Sequence, residues 1–313
     1  MTDPIYLTTI IPEDFSGWRL DRALAELFSD YSRSNLKNWI LDGKVHVDQK
    51  VIRPRAIVDG GEKVELWVET VQKIEWQAQN IPLDIVYEDA DIIVINKPAN
   101  LVVHPGAGNP DSTLVNALLY HEPDLANLPR AGIVHRLDKD TTGIMVVARS
   151  LRAHTSLINQ LQARSLKREY QAIVNGVVIA GGRVNEPIGR HPTQRVRMAV
   201  VENGKPAATH YHVETRFTAH THLRLQLESG RTHQIRVHMA HLRFPIVGDQ
   251  VYGGRFRLPK NASEPLIEKL RNFKRQALHS TQLTLEHPGS DELLSWAAPV
   301  PDDMQQLIEV LND

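Results

Sequence analysis

The chain has 313 residues, of which 42% are hydrophobic and 23% are charged, which is enough for about two folded domains. It contains no cysteine, so disulfides and thiolate metal sites are excluded, and we expect a protein of the reducing cytoplasm. Neither a run of about 18 apolar residues nor the pattern of a signal peptide is present, which argues against a membrane protein.

Charge is unevenly distributed along the chain, although the formal net charge is only -1. Residues 130–260 contain 21 lysines and arginines against 8 aspartates and glutamates, a surplus of 13 positive charges. Arginine supplies 17 of these cations, and its planar guanidinium suits the recognition of phosphates and bases. This basic block predicts a polyanionic partner. The alternative is that its arginines pair with acidic residues of other segments.

Residues 1–75 form the first predicted domain. Apolar residues at helical spacing indicate a first helix, namely Leu20, Leu24, Leu27 and Phe28. A second helix is expected at residues 35–41, a hairpin at 44–52, and an alternating closing strand at 64–68.

This unit resembles the S4 RNA-binding domain. The matching segments are Arg19-Leu20-Asp21, Trp39-Ile40, Gly43-Lys44-Val45-His46-Val47 and Gly60-Gly61-Glu62-Lys63-Val64. One departure is Asp48-Gln49 at the hairpin tip, where the family usually has Asn-Gly. The resemblance implies RNA binding, and the expected contacts are Arg19, Arg33, Lys37 and Lys44. The alternative is that these cations only form a solvated surface of the helices.

Residues 76–82 are interpreted as a linker, and residues 83–313 form the second predicted domain. Strands are predicted at 83–89, 92–98, 144–148, 171–174, 198–201, 222–227 and 281–285. Helices are predicted at 112–120, 152–163, 232–242, 262–273 and 301–311. Because few helices interrupt the strands, the expected fold class is α+β with a mixed, mostly antiparallel sheet.

A highly charged loop of this domain, residues 135–143, lies between two apolar segments that we interpret as strands, 131–134 and 144–148. Its Asp138 is a candidate nucleophile or base, because a carboxylate held rigidly at a pocket can act on a substrate. Such an acid stays ionised when a cation lies nearby. The alternative is an ordinary charged hairpin loop.

Two other segments provide candidate partners for this acid. Thr232 is the predicted N-cap of a helix, and Arg236 lies one turn into that helix, where it can reach a pocket. Tyr170 opens a predicted strand and offers a ring for stacking and a hydroxyl for proton transfer. The alternatives are a surface phosphate contact for Arg236 and a core tyrosine with a satisfied hydroxyl.

From residue 81 onward the chain resembles the RluA family of RNA pseudouridine synthases. The matching segments include residues 135–143, Val94-Ile95-Asn96-Lys97-Pro98, Lys167-Arg168-Glu169-Tyr170, Gly230-Arg231-Thr232-His233-Gln234-Ile235-Arg236, Gly248-Asp249 and Arg275-Gln276-Ala277-Leu278-His279. The resemblance implies that the C1′–N1 bond of uridine is broken and the base is rejoined through C5, without cofactor or metal. It implies that Asp138 acts at the ribose, Arg236 pairs with Asp138, and Tyr170 stacks on the base.

The resemblance also implies a substrate. Family members with a similar sequence in the loop of residues 135–143 act on a stem-loop of large-subunit rRNA at the subunit bridge. The expected partner is therefore 23S rRNA or a pre-50S particle, bound by a monomer that flips out the target base. His135, Arg136 and Arg231 are the expected RNA contacts of this domain.

Two other functions are alternatives. Ten histidines in residues 130–260 suggest a metal-dependent hydrolase, but His233 and His238 are poorly spaced for shared ligation and no His-Glu-x-x-His motif is present. The other alternative is a non-catalytic S4-type RNA-binding ribosome-assembly factor. The joint presence of Asp138, Tyr170 and Arg236 favours an enzyme over a protein that only binds RNA.

Overall fold

A computed structural model describes residues 5–28, 33–68, 76–106, 108–194, 197–255 and 258–312. The chain divides into two compact units, Met1–Glu75 and Trp76–Asp313. Residues 76–84 contain no helix or strand, and they are anchored within the second unit. The backbone N–H of Gln79 donates to the carbonyl of Asn116, whose side-chain amide donates to the carbonyl of Gln77.

The first unit packs two helices against a small antiparallel sheet. Its elements are β1 (Ile5–Ile10), α1 (Leu20–Leu27), α2 (Arg33–Leu41), β2 (Val45–Val47) and β3 (Lys63–Val68), with strand order β1-β3-β2. At the hairpin tip, Asp48 and Gln49 have φ angles of 47° and 64°. Positive φ at both central residues is what a type I′ turn requires, so the turn forms without the usual Asn-Gly.

The second unit is built on one large sheet and one small sheet. Its strands are β4 (Ile85–Glu88), β5 (Ile92–Lys97), β6 (Thr142–Ala148), β7 (Lys167–Asn175), β8 (Gly182–Asn185), β9 (Ile188–Arg190), β10 (Met198–Val200), β11 (Ala208–Arg216), β12 (His220–Leu227), β13 (Leu278–Glu286) and β14 (Leu293–Ala297). Its helices are α3 (Leu114–His121), α4 (Leu151–Ala163), α5 (Gln234–His241), α6 (Glu264–Asn272) and α7 (Asp302–Asn312).

The nine-stranded sheet has the order β4-β5-β6-β13-β7-β12-β11-β8, with β14 added beside β13, and β9 pairs separately with β10. Within the described part of the chain, β6 and β13 are the one parallel pair. The prediction of an α+β fold with a mixed, mostly antiparallel sheet is confirmed. None of the described helices is both long enough and apolar enough to cross a membrane.

The continuous apolar runs of β5 and β6 are explained by burial on both faces of the sheet. Ile93 and Ile95 contribute to a core on one face, whereas Ile92 and Val94 contribute to a second core on the other face. Strands covered on both faces lose the apolar–polar alternation of a half-exposed strand. These two strands therefore form a rigid support for the loop that follows residue 134.

The strand predicted at residues 131–134 is wrong. A short 3-10 helix, Pro129–Gly132, occupies most of this segment, and Ile133 makes only an isolated bridge to Val147. Arg130 and Ala131 have φ angles of 54° and 51°, which are incompatible with a strand. Gly132 permits the close approach of this turn to β6, because a Cβ at this position would lie 2.0 Å from the carbonyl oxygen of Ala148.

Candidate active site

A cavity of about 960 Å³ in the second unit brings the three predicted catalytic residues together. Asp138, Tyr170 and Arg236 all line it, although they come from three distant parts of the chain. Asp138 belongs to the loop before β6, Tyr170 to the middle of β7, and Arg236 to the first turn of α5. A concave site with a few convergent polar groups is the usual form of a substrate pocket.

The loop that carries Asp138 is held by hydrogen bonds to its backbone. The ammonium group of Lys97 donates to the carbonyl of Lys139 over 2.9 Å, and the guanidinium of Arg275 donates to the carbonyl of Asp140 over 3.3 Å. The backbone N–H of Thr141 closes the turn by donating to the carbonyl of Asp138. The loop is therefore fixed from both of its sides.

Lys97 is almost fully buried, and its ammonium group also donates to the carbonyls of Pro98 and Leu101. Burial lowers the pKa of Lys97 to about 7, against the opposing effect of the charges on Asp140 and Asp138. The three carbonyl acceptors explain why this cation is tolerated beneath the loop.

Gly143 makes the close approach of β6 and β13 possible. Its φ is +110°, and a Cβ there would lie 2.1 Å from the carbonyl oxygen of Ser280. Nearby, the Thr142 hydroxyl is 2.8 Å from Nδ1 of His279, and the Gln276 amide donates to the Thr141 hydroxyl over 3.0 Å. The parallel strand pair thus holds the end of the loop.

An arginine between two carboxylates forms the electrostatic centre of the site. Arg236 donates from Nη1 to Oδ2 of Asp138 over 3.0 Å. On its other side it donates from Nε and Nη2 to the two oxygens of Asp249, over 2.7 and 2.9 Å. Asp249 also accepts from the backbone N–H groups of Val251 and Tyr252. This bidentate pairing fixes the guanidinium against which Asp138 rests.

The charges of this group are mutually stabilised. Burial alone would lower the pKa of Arg236, but hydrogen bonds to Asp249 and the charge of Asp138 outweigh it and raise the pKa. Burial would likewise raise the pKa of Asp249, yet hydrogen bonds from Arg236 hold it below its ordinary value. Asp249 is therefore ionised at neutral pH, and Asp138 faces a permanent cation.

His233 and Tyr252 complete this side of the cavity. His233 places Nε2 3.9 Å from Oδ1 of Asp138 and Nδ1 2.8 Å from the Tyr252 hydroxyl. The same hydroxyl oxygen accepts from the backbone N–H of Met198 over 2.9 Å. Burial lowers the pKa of His233, so the ring is neutral at pH 7. Tyr252 can then donate to Nδ1, which leaves the Nε2 proton facing Asp138.

Tyr170 lies on the sheet floor of the cavity with only 4% of its surface exposed. It pairs with Ser280 of β13 on one side and with Leu225 of β12 on the other. Burial raises the pKa of its hydroxyl, so Tyr170 is protonated at neutral pH. The ring also belongs to the hydrophobic core on this face of the sheet.

The predicted N-cap at Thr232 is wrong. Helix α5 begins at Gln234 and is preceded by His233, which has a left-handed φ of 56° and makes no side-chain cap. The side chain of Gln234 organises the turn instead, since its Oε1 accepts from the Ser229 hydroxyl and from the N–H of Arg231. This local network presents Arg236 to the cavity.

The predicted RNA contacts of the second unit differ in their surroundings. Arg136 is exposed and lines the cavity, and none of the described residues forms an ion pair with it. Arg231 is also exposed there, with its Nε donating to the carbonyl of Pro206. His135 instead accepts from the N–H of Val146 through Nε2, and its Nδ1 is buried. Burial lowers the pKa of His135 to about 3.

In the first unit, Arg19 and Arg33 both contact Asp21, at 2.8 and 3.1 Å. Lys37 is exposed and Lys44 is half-buried. Two of the four cations predicted to bind RNA therefore form an ion pair with the same carboxylate.

Asp249 is the main residue whose role the sequence does not reveal. It lies in a matched segment, Gly248-Asp249, but nothing in that segment indicates a partner. The one usable signal is that aspartate is rare in the basic block, since residues 130–260 contain only three aspartates. No three histidine, aspartate or glutamate side chains within the described ranges are grouped so that they could hold a metal ion.

Comparisons with known proteins identify the family. A family model described as RNA pseudouridylate synthase matches residues 91–241, and one described as S4 domain matches residues 18–64. The chain is 58% identical over 313 residues to Ribosomal large subunit pseudouridine synthase D of Escherichia coli strain K12, covering 100% of this chain and 96% of that protein. It is 57% identical over 312 residues to the protein of the same name from Pseudomonas aeruginosa, covering 100% and 98%.

A solved structure, Human RNA Pseudouridylate Synthase Domain Containing 4, aligns with a TM-score of 0.56 at 26% identity and covers 73% of this chain and 92% of that chain. The resemblance to the RNA pseudouridine synthases, and to an S4 domain ahead of them, is confirmed by these matches. The chain belongs to the RNA pseudouridylate synthase family and is an isomerase.

Proposed function

We propose that this protein converts specific uridines of 23S rRNA to pseudouridine, with Asp138 as the carboxylate that acts at the ribose. The observation that carries the proposal is the position of Asp138, which lines the cavity 3.0 Å from an arginine that Asp249 holds on its other side. The name of the bacterial relatives, which refers to the large ribosomal subunit, supports the choice of RNA.

The reaction redistributes bonds within one nucleotide. The C1′–N1 bond breaks and its electron pair leaves with the uracil, while Asp138 either bonds to C1′ or removes a ribose proton. The base then rotates and C5 bonds to C1′, while Asp138 is released from C1′ or returns the ribose proton. The C5 proton leaves and N1 gains a proton. Arg236 pairs with Asp138 and orients its carboxylate, and Tyr170 stacks on the base and assists removal of the C5 proton. Because the product is an isomer of the substrate, the balance needs no oxidant, water or cofactor.

The target nucleotide must leave its helix to reach Asp138, because the carboxylate is largely buried. Arg136 and Arg231, both exposed at the cavity, are the proposed contacts to the RNA around the flipped nucleotide. The proposed substrate is the stem-loop at the subunit bridge, in 23S rRNA or a pre-50S particle. The protein is proposed to act as a cytoplasmic monomer, with its S4 unit adding RNA affinity.

Pseudouridine mapping tests this proposal. We expect rRNA from cells that lack the protein to be unmodified at specific uridines. The purified wild-type protein should convert these uridines to pseudouridine. Asp138→Asn should bind the same RNA with unchanged affinity and form no pseudouridine. Normal turnover by Asp138→Asn would refute the role of Asp138. Binding without turnover by the wild-type protein would instead favour the non-catalytic assembly factor.

A further inference from the structure

Arg168 is a buried cation that no acidic group neutralises. It lies on β7, lines the cavity, and has only 6% of its surface exposed. Its Nε is buried without a hydrogen-bond partner, and no described carboxylate lies within ion-pair distance of its guanidinium. Burying an unpaired charge costs several kcal/mol, on the order of the penalty for breaking a buried ion pair. Such a group is expected where a ligand supplies the missing charge.

The position of Arg168 relates it to the proposed base site. Arg168 and Tyr170 are two residues apart on β7 and are both buried, so they face the same side of the sheet. Side chains so placed are about 7 Å apart along the strand. A base that stacks on Tyr170 would therefore present an edge toward the Arg168 guanidinium.

The turn between β12 and α5 leaves room for this guanidinium. A Cβ at Gly230 would lie 2.6 Å from Nη1 of Arg168. The φ of Gly230 is not in the left-handed region, so the backbone itself does not require glycine there. The space at Gly230 is thus occupied by the arginine side chain.

The two buried arginines of the cavity differ in their charge balance. Arg236 has two carboxylate partners, Asp138 and Asp249, whereas Arg168 has none among the described residues. The proposed reaction generates a further negative charge, because the uracil leaves with the electron pair of the C1′–N1 bond. That charge spreads over N1, O2 and O4 of the base.

We propose that Arg168 contacts the uracil base and stabilises the negative charge that develops on its carbonyl oxygens when the C1′–N1 bond breaks. This inference rests on the proposed function. A fixed cation in a water-poor site stabilises charge as it develops, because it needs no reorganisation at the moment of reaction. The carbonyl oxygens recover their neutral form when C5 bonds to C1′, and transfer of the C5 proton to N1 then completes the product.

The depth of Arg168 favours the base over a phosphate as its ligand. Phosphates of a flipped nucleotide remain connected to the RNA strand at the mouth of the cavity, where Arg136 and Arg231 are exposed. Arg168 lies beside Tyr170, at the level where the base is proposed to stack. A phosphate contact is the alternative that the experiment distinguishes.

The test uses full-length Arg168→Gln and Arg168→Lys, with Lys167→Gln as the matched control because Lys167 is the exposed neighbour on the same strand. The measurements are the dissociation constant for the rRNA fragment and the single-turnover rate of pseudouridine formation with enzyme in excess. We expect Arg168→Gln to lower the rate by about 10²–10³-fold with an unchanged dissociation constant. Arg168→Lys should recover part of the rate, and Lys167→Gln should match the wild type.

A substrate with a better leaving group separates stabilisation of the base from other roles. In RNA that carries 5-fluorouridine at the target, fluorine stabilises the departing base anion, so the Arg168→Gln defect should shrink at least about tenfold. Loss of 5-fluorouridine from nuclease digests measures this rate. An equal defect on both substrates, or a weakened affinity for RNA, would indicate a phosphate contact and overturn the inference.

Two further results guard against a merely structural effect. Removing an unpaired buried cation should leave the melting temperature of Arg168→Gln equal to or above that of the wild type. Gly230→Ala, which displaces the guanidinium without deleting it, should reproduce the rate defect in weaker form. A wild-type protein that forms no pseudouridine would defeat the proposed function itself. An active wild type with an equally active Arg168→Gln would defeat only this inference.

Discussion

Each of the two units contains an aspartate bound by arginine, at nearly the same distances but in different surroundings. In the first unit Asp21, whose side chain is 5% exposed, lies 2.8 and 3.1 Å from Arg19 and Arg33, whose side chains are 43% and 53% exposed. In the second unit Arg236 lies 3.0 Å from Asp138 and 2.7 Å from Asp249, and its side chain is 7% exposed.

Contact distance therefore does not decide how much such a cluster contributes to the free energy of unfolding. An exposed ion pair contributes roughly 0–1 kcal/mol, because water and salt screen it and two long side chains lose freedom. Breaking a buried pair costs about 3–5 kcal/mol, because the remaining charge is left in a poor solvent. The first cluster joins exposed arginines to a buried aspartate, whereas in the second cluster both Arg236 and Asp249 are buried.

The largest effect is expected from Arg236→Ala. Asp138 loses its ion pair, so pseudouridine formation should fall by about 10³-fold. Asp249 is left buried and unpaired, which should lower the free energy of unfolding by about 3–5 kcal/mol. Single-turnover kinetics and denaturant unfolding measure the two effects. Arg236→Lys keeps the charge but not the bidentate geometry, and full activity in this variant would contradict the proposed role of the guanidinium.

Asp249→Asn tests the other side of the buried cluster. Among the described residues Arg236 then keeps one carboxylate partner, Asp138, so we expect a smaller loss of activity than for Arg236→Ala. Stability should still fall by about 3 kcal/mol, because a buried charge pair is broken. Urea unfolding of this variant beside Asp21→Asn, its counterpart in the cluster with exposed arginines, gives the comparison directly. Equal losses of stability in the two variants would mean that the exposure of the arginines does not separate the clusters.

Acid should weaken the second unit before its carboxylates titrate. Burial lowers the pKa of His135 to about 3, and the pKa values of His104 and His220 to about 4. Between these values and the ordinary histidine pKa, the unfolded chain binds more protons than the folded chain, so stability falls as pH falls. Each histidine should contribute about 1.4 kcal/mol per pH unit below about pH 6.5.

Unfolding at pH 7, 6 and 5 measures this slope, and His135→Gln is the informative variant. Its side-chain oxygen can accept the hydrogen bond from Val146 without titrating. We expect the pH dependence of the unfolding free energy to be shallower by the contribution of one histidine, roughly 1.4 kcal/mol per pH unit. An unchanged slope would mean that His135 is not buried in its neutral form.

The smallest effects should come from Arg19→Ala and Arg33→Ala. Although burial raises it, the pKa of Asp21 is held below its ordinary value by hydrogen bonds from these two arginines. Their exposure limits each contribution to less than about 1 kcal/mol of stability. If they bind RNA, each substitution should also flatten the salt dependence of the dissociation constant. A stability loss of several kcal/mol would show instead that this cluster is structural.

Strands and helices with strong periodicity could be predicted from the sequence. The apolar runs of β5 and β6 marked two central strands, and the spacing in α4 marked a helix. Residues 131–134 were equally apolar, but positive φ angles at Arg130 and Ala131 turn the chain there. Strand β1, with little apolar alternation of its own, depends on pairing with β3.

The candidate site likewise contains some features that could be predicted from the sequence and others that could not. The pairing of Asp138 with Arg236 was predicted, and the two side chains lie 3.0 Å apart. The second carboxylate on Arg236 could not be predicted, because Asp249 is thirteen residues away in a turn of irregular backbone. The isolation of Arg168 was even less accessible, since a missing partner is a property of the whole packed interior.

The single parallel strand pair in the described sheet carries a consequence for biosynthesis. The loop with Asp138 is held by Arg275, Gln276 and the start of β13, which follow it by well over a hundred residues. Until those residues have been synthesised, β6 lacks this neighbour and the loop lacks these bonds. A nascent chain that already contains Asp138, Tyr170 and Arg236 therefore lacks the contacts that Arg275, Gln276 and β13 make with the loop. We expect the loop to reach its final conformation only after these residues have been synthesised.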